Sequence, residues 1–168
     1  MSKIALPSTN DYLNLLLNGT PLIDVRAPIE HQCGALPFAI NLPLMTNDER
    51  HEIGICYREH GQKAAVALGH KRVCGADKEA RVNAWQVFFR TNPTAVLYCA
   101  RGGLRSRISQ QWLADTGIQC PRVEGGYKGL RSFLIEQINE ICETTKLVLL
   151  SGMTGTGKTQ LIKTLPRT

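Results

Sequence analysis

The sequence has few of the features that would place it in a membrane, secreted or metal-binding class. Met1-Ser2-Lys3 leads into no long apolar run, which predicts neither a signal peptide nor a membrane span. The six cysteines never approach Cys-x-x-Cys spacing, and His51, His60 and His70 have no partners at metal-ligand spacing. We therefore expect no metal site and no disulfide framework, and we expect a reducing, cytoplasmic compartment.

Internal repeats and low-complexity tracts are also missing, and the composition is that of a folded chain. Hydrophobic residues make up 43% of the 168 positions, which is enough for a packed core in one domain with a small addition. The 20 Lys and Arg residues outnumber the 14 Asp and Glu residues, for a formal net charge of +6. This balance favours a polyanionic partner such as RNA.

Short β-prone runs alternate with helical patterns along most of the chain. Strands are predicted near 21–26, 38–42, 95–98 and 118–123, with a loop over much of 30–43. Helices are predicted over 12–17 behind a Thr9 or Asn10 cap, from 47 through 57 up to an interruption at Gly61, and over 63–68. Further helices are predicted from an Asp77 cap to an end at 91–93, from 104 to Gly117, and near 133–141. The alternation predicts an α/β sandwich around a mainly parallel sheet flanked by helices.

The stretch 95–106 is the leading candidate for chemistry. An apolar strand ends at Cys99, small residues and arginines follow, and helical spacing resumes at Leu104. A cysteine between a strand and a helix N-terminus, beside glycines and cations, should favour its thiolate form. We predict that Cys99 is a nucleophile, and that the neighbouring loop residues bind anions: Arg101, Gly102, Gly103 and Arg105.

Asp24 and Arg26 end an earlier predicted strand and could be catalytic. Charges at a strand end more often brace neighbouring loops through hydrogen bonds, and we favour that interpretation. Trp85, Phe88 and Phe89 are interpreted as core residues rather than as a platform for stacking bases.

A second pattern lies near the C-terminus. A predicted strand over 146–150 leads into Gly152, four intervening residues, and then Gly157, Lys158 and Thr159. This is the spacing of a phosphate-binding loop, in which backbone N–H groups surround a phosphate, the lysine adds charge and the threonine can bind Mg²⁺. Because few residues follow, we expect the front part of a longer protein, with one domain over 9–143 and the start of a second over 146–168.

The motifs together resemble rhodanese domains. The resemblance rests on four stretches, which are 22–30, 34–43, 99–106 and 123–127. Three further features narrow it to the family of tRNA 2-selenouridine synthases: the segments 47–54 and 67–71, the loop Cys-Ala-Arg-Gly-Gly-Leu-Arg-Ser, and the phosphate-binding loop that follows the domain.

This resemblance implies an activity and its substrates. The family replaces sulfur by selenium at C2 of the wobble 2-thiouridine of certain tRNAs, with selenophosphate as donor. It is also similar to enzymes that first geranylate the sulfur from geranyl diphosphate. The resemblance implies that Cys99 attacks or accepts the chalcogen, that the cation-rich loop with Lys128 and Arg131 attracts tRNA, and that no cofactor is tightly bound.

Three alternatives stay open from the residues alone. A rhodanese-fold sulfurtransferase would use the same cysteine. The spacing from Cys99 to Arg105 and Ser106 is also that of cysteine-dependent phosphatases, and phosphatases share this fold with sulfurtransferases. The third alternative is a non-catalytic module whose loop merely binds anions.

Overall fold

The computed structural model describes residues 6–146 and 148–165. Within those residues no helix is both long and apolar enough to cross a membrane. The described part of the chain contains five strands and seven helices: β1 (Ser8–Thr9), α1 (Tyr12–Leu17), β2 (Leu22–Asp24), α2 (Pro28–Gln32), β3 (Ala39–Asn41), α3 (Asn47–Arg72), α4 (Gly75–Thr91), β4 (Val96–Tyr98), α5 (Leu104–Ala114), β5 (Arg122–Val123), α6 (Gly126–Thr144) and α7 (Lys158–Thr164).

The strands form one parallel sheet in the order β1-β5-β4-β2-β3. The register pairs Asp24 of β2 with Tyr98 of β4, so these two strands end side by side. Ligand sites in parallel sheets lie beyond the carboxyl ends of the strands, and Cys99 follows β4 at that edge. The predicted fold class, an α/β sandwich with a parallel sheet flanked by helices, is confirmed.

The central strands β2 and β4 are fully buried, and their successive side chains point in opposite directions into two hydrophobic clusters. Ile23 and Leu97 belong to a hydrophobic cluster with Trp85, while Leu22 and Val96 belong to a second cluster. Trp85 is fully buried and its indole N–H donates to the carbonyl oxygen of Leu42, 2.9 Å away. The interpretation of Trp85 as a core residue is confirmed.

Several elements differ from prediction in their presence or bounds. Strand β1 was not predicted, and its two residues are held by pairing with β5. Helix α2 lies where a loop was expected, because Pro28 starts it and the Glu30 carboxylate accepts from the Ala27 N–H at its N-terminus. Asp11, rather than Thr9 or Asn10, caps α1. Helix α4 begins at Gly75, which leaves Asp77 in its first turn.

The predicted interruption at Gly61 is confirmed. Two helical segments within α3 meet there, and Gly61 has φ 78° and ψ −179°. A positive φ of this size is readily adopted only by a residue without a Cβ. The break lets both segments of α3 line one cavity, described below.

The chain divides into two compact units, Met1–Ile135 and Glu136–Thr168. In the second unit residues 148–150 are not a strand, contrary to prediction, and Val148 and Leu149 are 87% and 90% exposed. A strand needs a neighbouring strand to satisfy its backbone groups, and the described residues of this unit contain none. Leu147, part of the same predicted strand, lies outside the described residues.

Trypsin should cut first after Lys146 and leave the first unit intact. Residues 148–153 have no regular structure and are exposed, so a protease can bind them without unfolding a core. Mass spectrometry of the early fragments would test this, with Lys146→Gln as the variant that delays the first cut. Cleavage within 6–135 at an equal rate would contradict the prediction.

Candidate active site

Cys99 lies directly after β4 and is 3% exposed. Its Sγ donates to the Ser106 hydroxyl at 3.3 Å, and that hydroxyl donates to the Gly103 carbonyl oxygen at 3.0 Å. Helix α5 begins at Leu104 with Gly103 as its N-cap, which brings the positive end of its dipole to the loop. The strand, loop and helix arrangement predicted around Cys99 is confirmed.

The loop is held from behind by the start of α6. The backbone N–H of Tyr127 donates to the Cys99 carbonyl oxygen at 2.9 Å, and that of Lys128 donates to the Ala100 carbonyl oxygen at 3.0 Å. Gly126 has φ 59°, and a Cβ on it would lie 2.2 Å from the Cys99 carbonyl oxygen. Gly102 has φ 64°, and a Cβ there would lie 2.8 Å from the backbone nitrogen of Gly125. Both positions therefore require glycine.

A buried ion pair anchors the strand ends beside the loop. The fully buried Asp24 carboxylate accepts two hydrogen bonds at 2.9 Å from Arg26 Nε, one at 2.6 Å from an Arg26 terminal nitrogen, and one at 3.0 Å from the Tyr98 hydroxyl. His31 Nδ1 lies 3.0 Å from the same carboxylate. Arg26 also stacks on the ring of Tyr127, with its Cζ 3.9 Å from the ring centroid. These contacts confirm the bracing role favoured for Asp24 and Arg26.

The network shifts the ionisation of its members. Burial alone would raise the pKa of Asp24, but hydrogen bonds from Arg26 and His31 and the charge of Arg26 more than offset this, so the pKa is lowered. Burial, with the nearby Asp24 charge, raises the pKa of Tyr98 well above its ordinary value. Asp24 is therefore held as the anion and Tyr98 as the neutral donor.

Arg105 forms a salt bridge that the sequence did not reveal. Its two terminal nitrogens lie 2.6 Å and 3.1 Å from the two carboxylate oxygens of Glu30, and Arg50 Nε lies 3.2 Å from the same carboxylate. Burial would raise the pKa of Glu30, but Arg105, the Ala27 N–H and Arg50 lower it overall. The charge of Arg105 is thus balanced by a carboxylate, and its role in binding anions stays a prediction.

A basic cavity of about 460 Å³ opens on the loop. Ala100, Arg101 and Lys128 line it together with Tyr127 and Arg50. Among the described residues no carboxylate forms a salt bridge with Arg101 or Lys128. The charges of Arg101 and Lys128 make this cavity suited to an anionic substrate.

The residues of the predicted phosphate-binding loop belong to the second unit. Gly157 has φ 78° and precedes α7, which begins with Lys158 and Thr159. Lys158 Nζ donates to the carbonyl oxygens of Gly152 and Met153 at 2.6 Å and 2.7 Å. The lysine is thus directed into the loop, and phosphate binding there stays a prediction. In the described residues no cluster of His, Cys, Asp and Glu could hold a metal ion.

Sequence reasoning missed Glu30, Tyr98, His31 and Tyr127. Only Glu30 carried a local signal, because Pro28 followed by Glu30 is the pattern of a helix start. The contact of Tyr98 with Asp24 depends on strand register and that of His31 on the position of α2, and the sequence encodes neither locally.

The parallel sheet, the helices on both faces and the cysteine loop after β4 define an α/β sandwich with a candidate nucleophile at the carboxyl edge of its sheet. No family profile matches the chain. It is 57% identical over 158 residues to the tRNA 2-selenouridine synthase of Hahella chejuensis, and 52% identical over 159 residues to that of Pseudomonas syringae pv. tomato. By this similarity the chain belongs to the tRNA 2-selenouridine synthase family.

The chain spans only part of those relatives. The two matches cover 94% and 95% of this chain but 42% and 43% of the relatives. A crystal structure from Clostridium difficile 630, the N-terminal domain of a protein assigned provisionally to ATP/GTP binding, is 31% identical with a TM-score of 0.68. That match covers 76% of this chain and 98% of the domain, so the fold extends over nearly the whole of that domain.

Asp24→Asn should destabilise the first unit by about 3–5 kcal/mol, because it leaves the buried Arg26 guanidinium without its counter-charge. Folding lowers the pKa of Asp24, so its ionised carboxylate stabilises the folded state at pH values above the pKa that Asp24 has in the unfolded chain. The difference from wild type should therefore shrink as pH falls below about 4. Urea unfolding at pH 7 and pH 3.5 would measure it.

Glu59→Gln is the matched control for Asp24→Asn, since the Glu59 side chain is 62% exposed. It should change the free energy of unfolding by no more than about 0.5 kcal/mol. Equal effects of the two substitutions would contradict the bracing role of Asp24.

Gly126→Ala should displace the cysteine loop, because its Cβ would overlap the Cys99 carbonyl oxygen and its positive φ is costly for alanine. We expect destabilisation of about 2 kcal/mol or more. Gly54→Ala is the control, since a Cβ within α3 at that position meets no atom within 4 Å. Thermal unfolding that ranks Gly54→Ala as the more harmful change would contradict this account of the loop.

Proposed function

We propose that this domain exchanges sulfur for selenium at C2 of the wobble 2-thiouridine of tRNA, with Cys99 as nucleophile and selenophosphate as donor. The observation that carries the proposal is the position of Cys99 under a clamped loop beside a basic cavity. The names of the similar proteins support the substrate class, a tRNA.

The basic cavity fits the tRNA backbone and a nucleobase. Arg101 and Lys128 line it and supply positive charge for phosphates. Tyr127 lines the same space, and its ring is fixed by stacking on Arg26. An aromatic ring held in this way is suited to stacking against an unpaired base.

The chemistry begins with activation of the sulfur. The sulfur of 2-thiouridine attacks C1 of geranyl diphosphate, a C–S bond forms, diphosphate leaves, and N3 of the base loses its proton to solvent. The Cys99 thiolate then adds to C2 of the base, the bond from C2 to the geranylated sulfur breaks, and geranylthiolate leaves and takes a proton.

Selenophosphate completes the exchange. Its selenium attacks C2, the bond from C2 to Cys99 breaks, and the thiolate is regenerated. Water then cleaves the Se–P bond and releases phosphate. Selenium keeps its oxidation state throughout, whereas moving it from selenophosphate onto the sulfur of Cys99 would need an oxidant. We therefore assign the covalent bond of Cys99 to the base.

The fold supports sulfur transfer as a second candidate. In that reaction the Cys99 thiolate attacks the outer sulfur of thiosulfate and the S–S bond of thiosulfate breaks. Sulfite leaves, and Cys99 becomes a persulfide. Phosphatase activity has less support, because Arg105, which would hold the phosphoryl group, is bound by Glu30.

Mass spectrometry of the quenched protein would test the nucleophile. We expect wild-type protein to form a covalent adduct with an anticodon stem-loop that carries S-geranyl-2-thiouridine, and to lose it when selenophosphate is added. Cys99→Ser should reduce the adduct at least a hundredfold, whereas Cys142→Ser, at an exposed cysteine, should not change it.

Three results would contradict the proposal. A full adduct yield with Cys99→Ser would exclude Cys99 as the nucleophile. Persulfide formation from thiosulfate without an RNA adduct would indicate the sulfurtransferase. Rapid hydrolysis of an aryl phosphate without an RNA adduct would indicate the phosphatase.

A further inference from the structure

A second cavity, of about 500 Å³, lies beside the loop and is lined mainly by apolar side chains. Ile53 and Val66 line it from the two segments of α3, and Leu104 and Trp112 line it from α5. Its volume is within the roughly 300–1,000 Å³ typical of sites for small molecules. An apolar cavity of this size beside the loop of a candidate nucleophile is suited to binding an apolar ligand.

The backbone keeps the cavity open. Gly54 and Gly69 line it without side chains, and a Cβ on Gly54 would meet no atom within 4 Å. The break at Gly61 places residues of both α3 segments on the same cavity. Any larger residue at 54 would fill space that the wild-type chain leaves free.

The apolar cavity and the basic cavity are neighbours. Arg50 lines both, Arg105 lines the apolar one and Glu30 lines the basic one. The salt-bridge cluster of Arg50, Glu30 and Arg105 therefore borders both cavities. Cys99 packs in the same hydrophobic cluster as Trp112, which lines the apolar cavity.

We propose that the apolar cavity binds a hydrocarbon chain of about ten carbons attached to a nucleotide whose polar part occupies the basic cavity. The surfaces are complementary to such a ligand, because the hydrocarbon meets apolar side chains while the anionic nucleotide meets Arg101 and Lys128. The inference rests on the proposed function, in which a geranylated base reaches Cys99. It goes further by assigning the binding site of the hydrocarbon chain.

Binding can be measured without chemistry in Cys99→Ser protein. The probes are two anticodon stem-loops, one with S-geranyl-2-thiouridine and one with S-methyl-2-thiouridine. We expect the geranyl RNA to bind about a hundredfold more tightly or better, from the additional buried carbons. Adding Gly54→Leu should abolish this preference and leave the S-methyl RNA bound as before, because the leucine fills the cavity.

Ala80→Leu, at an exposed position of α4, is the matched control, and it should keep the preference. Equal affinities for the two RNAs in the Cys99→Ser background would overturn the inference, as would a preference that survives Gly54→Leu. Failure of the proposed function gives a different result. If Gly54→Leu abolishes the preference for geranyl RNA but wild-type protein carries out no exchange at C2, the cavity is supported and only the proposed chemistry is refuted. Exchange at C2 without a preference refutes only the cavity.

Discussion

The ion pair between Asp24 and Arg26 is the interaction on which the rest of the site depends. Asp24 fixes the hydroxyl of Tyr98, the residue immediately before Cys99. Arg26 stacks on Tyr127, whose backbone N–H donates to the carbonyl oxygen of Cys99. One buried carboxylate therefore supports the strand that delivers the cysteine and the helix start that holds its loop from behind.

Salt bridges distinguish the cations that stabilise the structure from those that are free to bind a substrate. Arg26 and Arg105 are each committed to a buried or half-buried carboxylate, Asp24 and Glu30. Within the described chain Arg101 and Lys128 have no such salt bridge, and both line the basic cavity. The loop thus keeps a fixed shape while its outer face attracts anions. The arginines of the Glu30 salt bridges also border the apolar cavity.

Much of this site could be predicted from local sequence. The apolar run before Cys99 and the helical spacing from Leu104 are short-range signals, and the structure follows them. Gly61 was predicted to interrupt a helix, and its positive φ is one that glycine adopts easily. The pairing of Glu30 with Arg105 could not be predicted, because the two residues lie 75 positions apart and meet only through the fold. The strand predicted over 146–150 is a case in which a local signal was wrong. Residues 148–150 are apolar but form no strand, because the described residues of their unit contain no strand to pair with.

The central claim is that Cys99 bonds to C2 of the base before selenium arrives. The most direct test mixes the protein with a slight excess of S-geranyl-2-thiouridine stem-loop, omits selenophosphate and measures geranylthiol. The account predicts a rapid burst of about one equivalent of geranylthiol per protein molecule, absent from Cys99→Ser protein. Release of geranylthiol only after selenophosphate is added would show that selenium attacks the base directly, and would contradict the account.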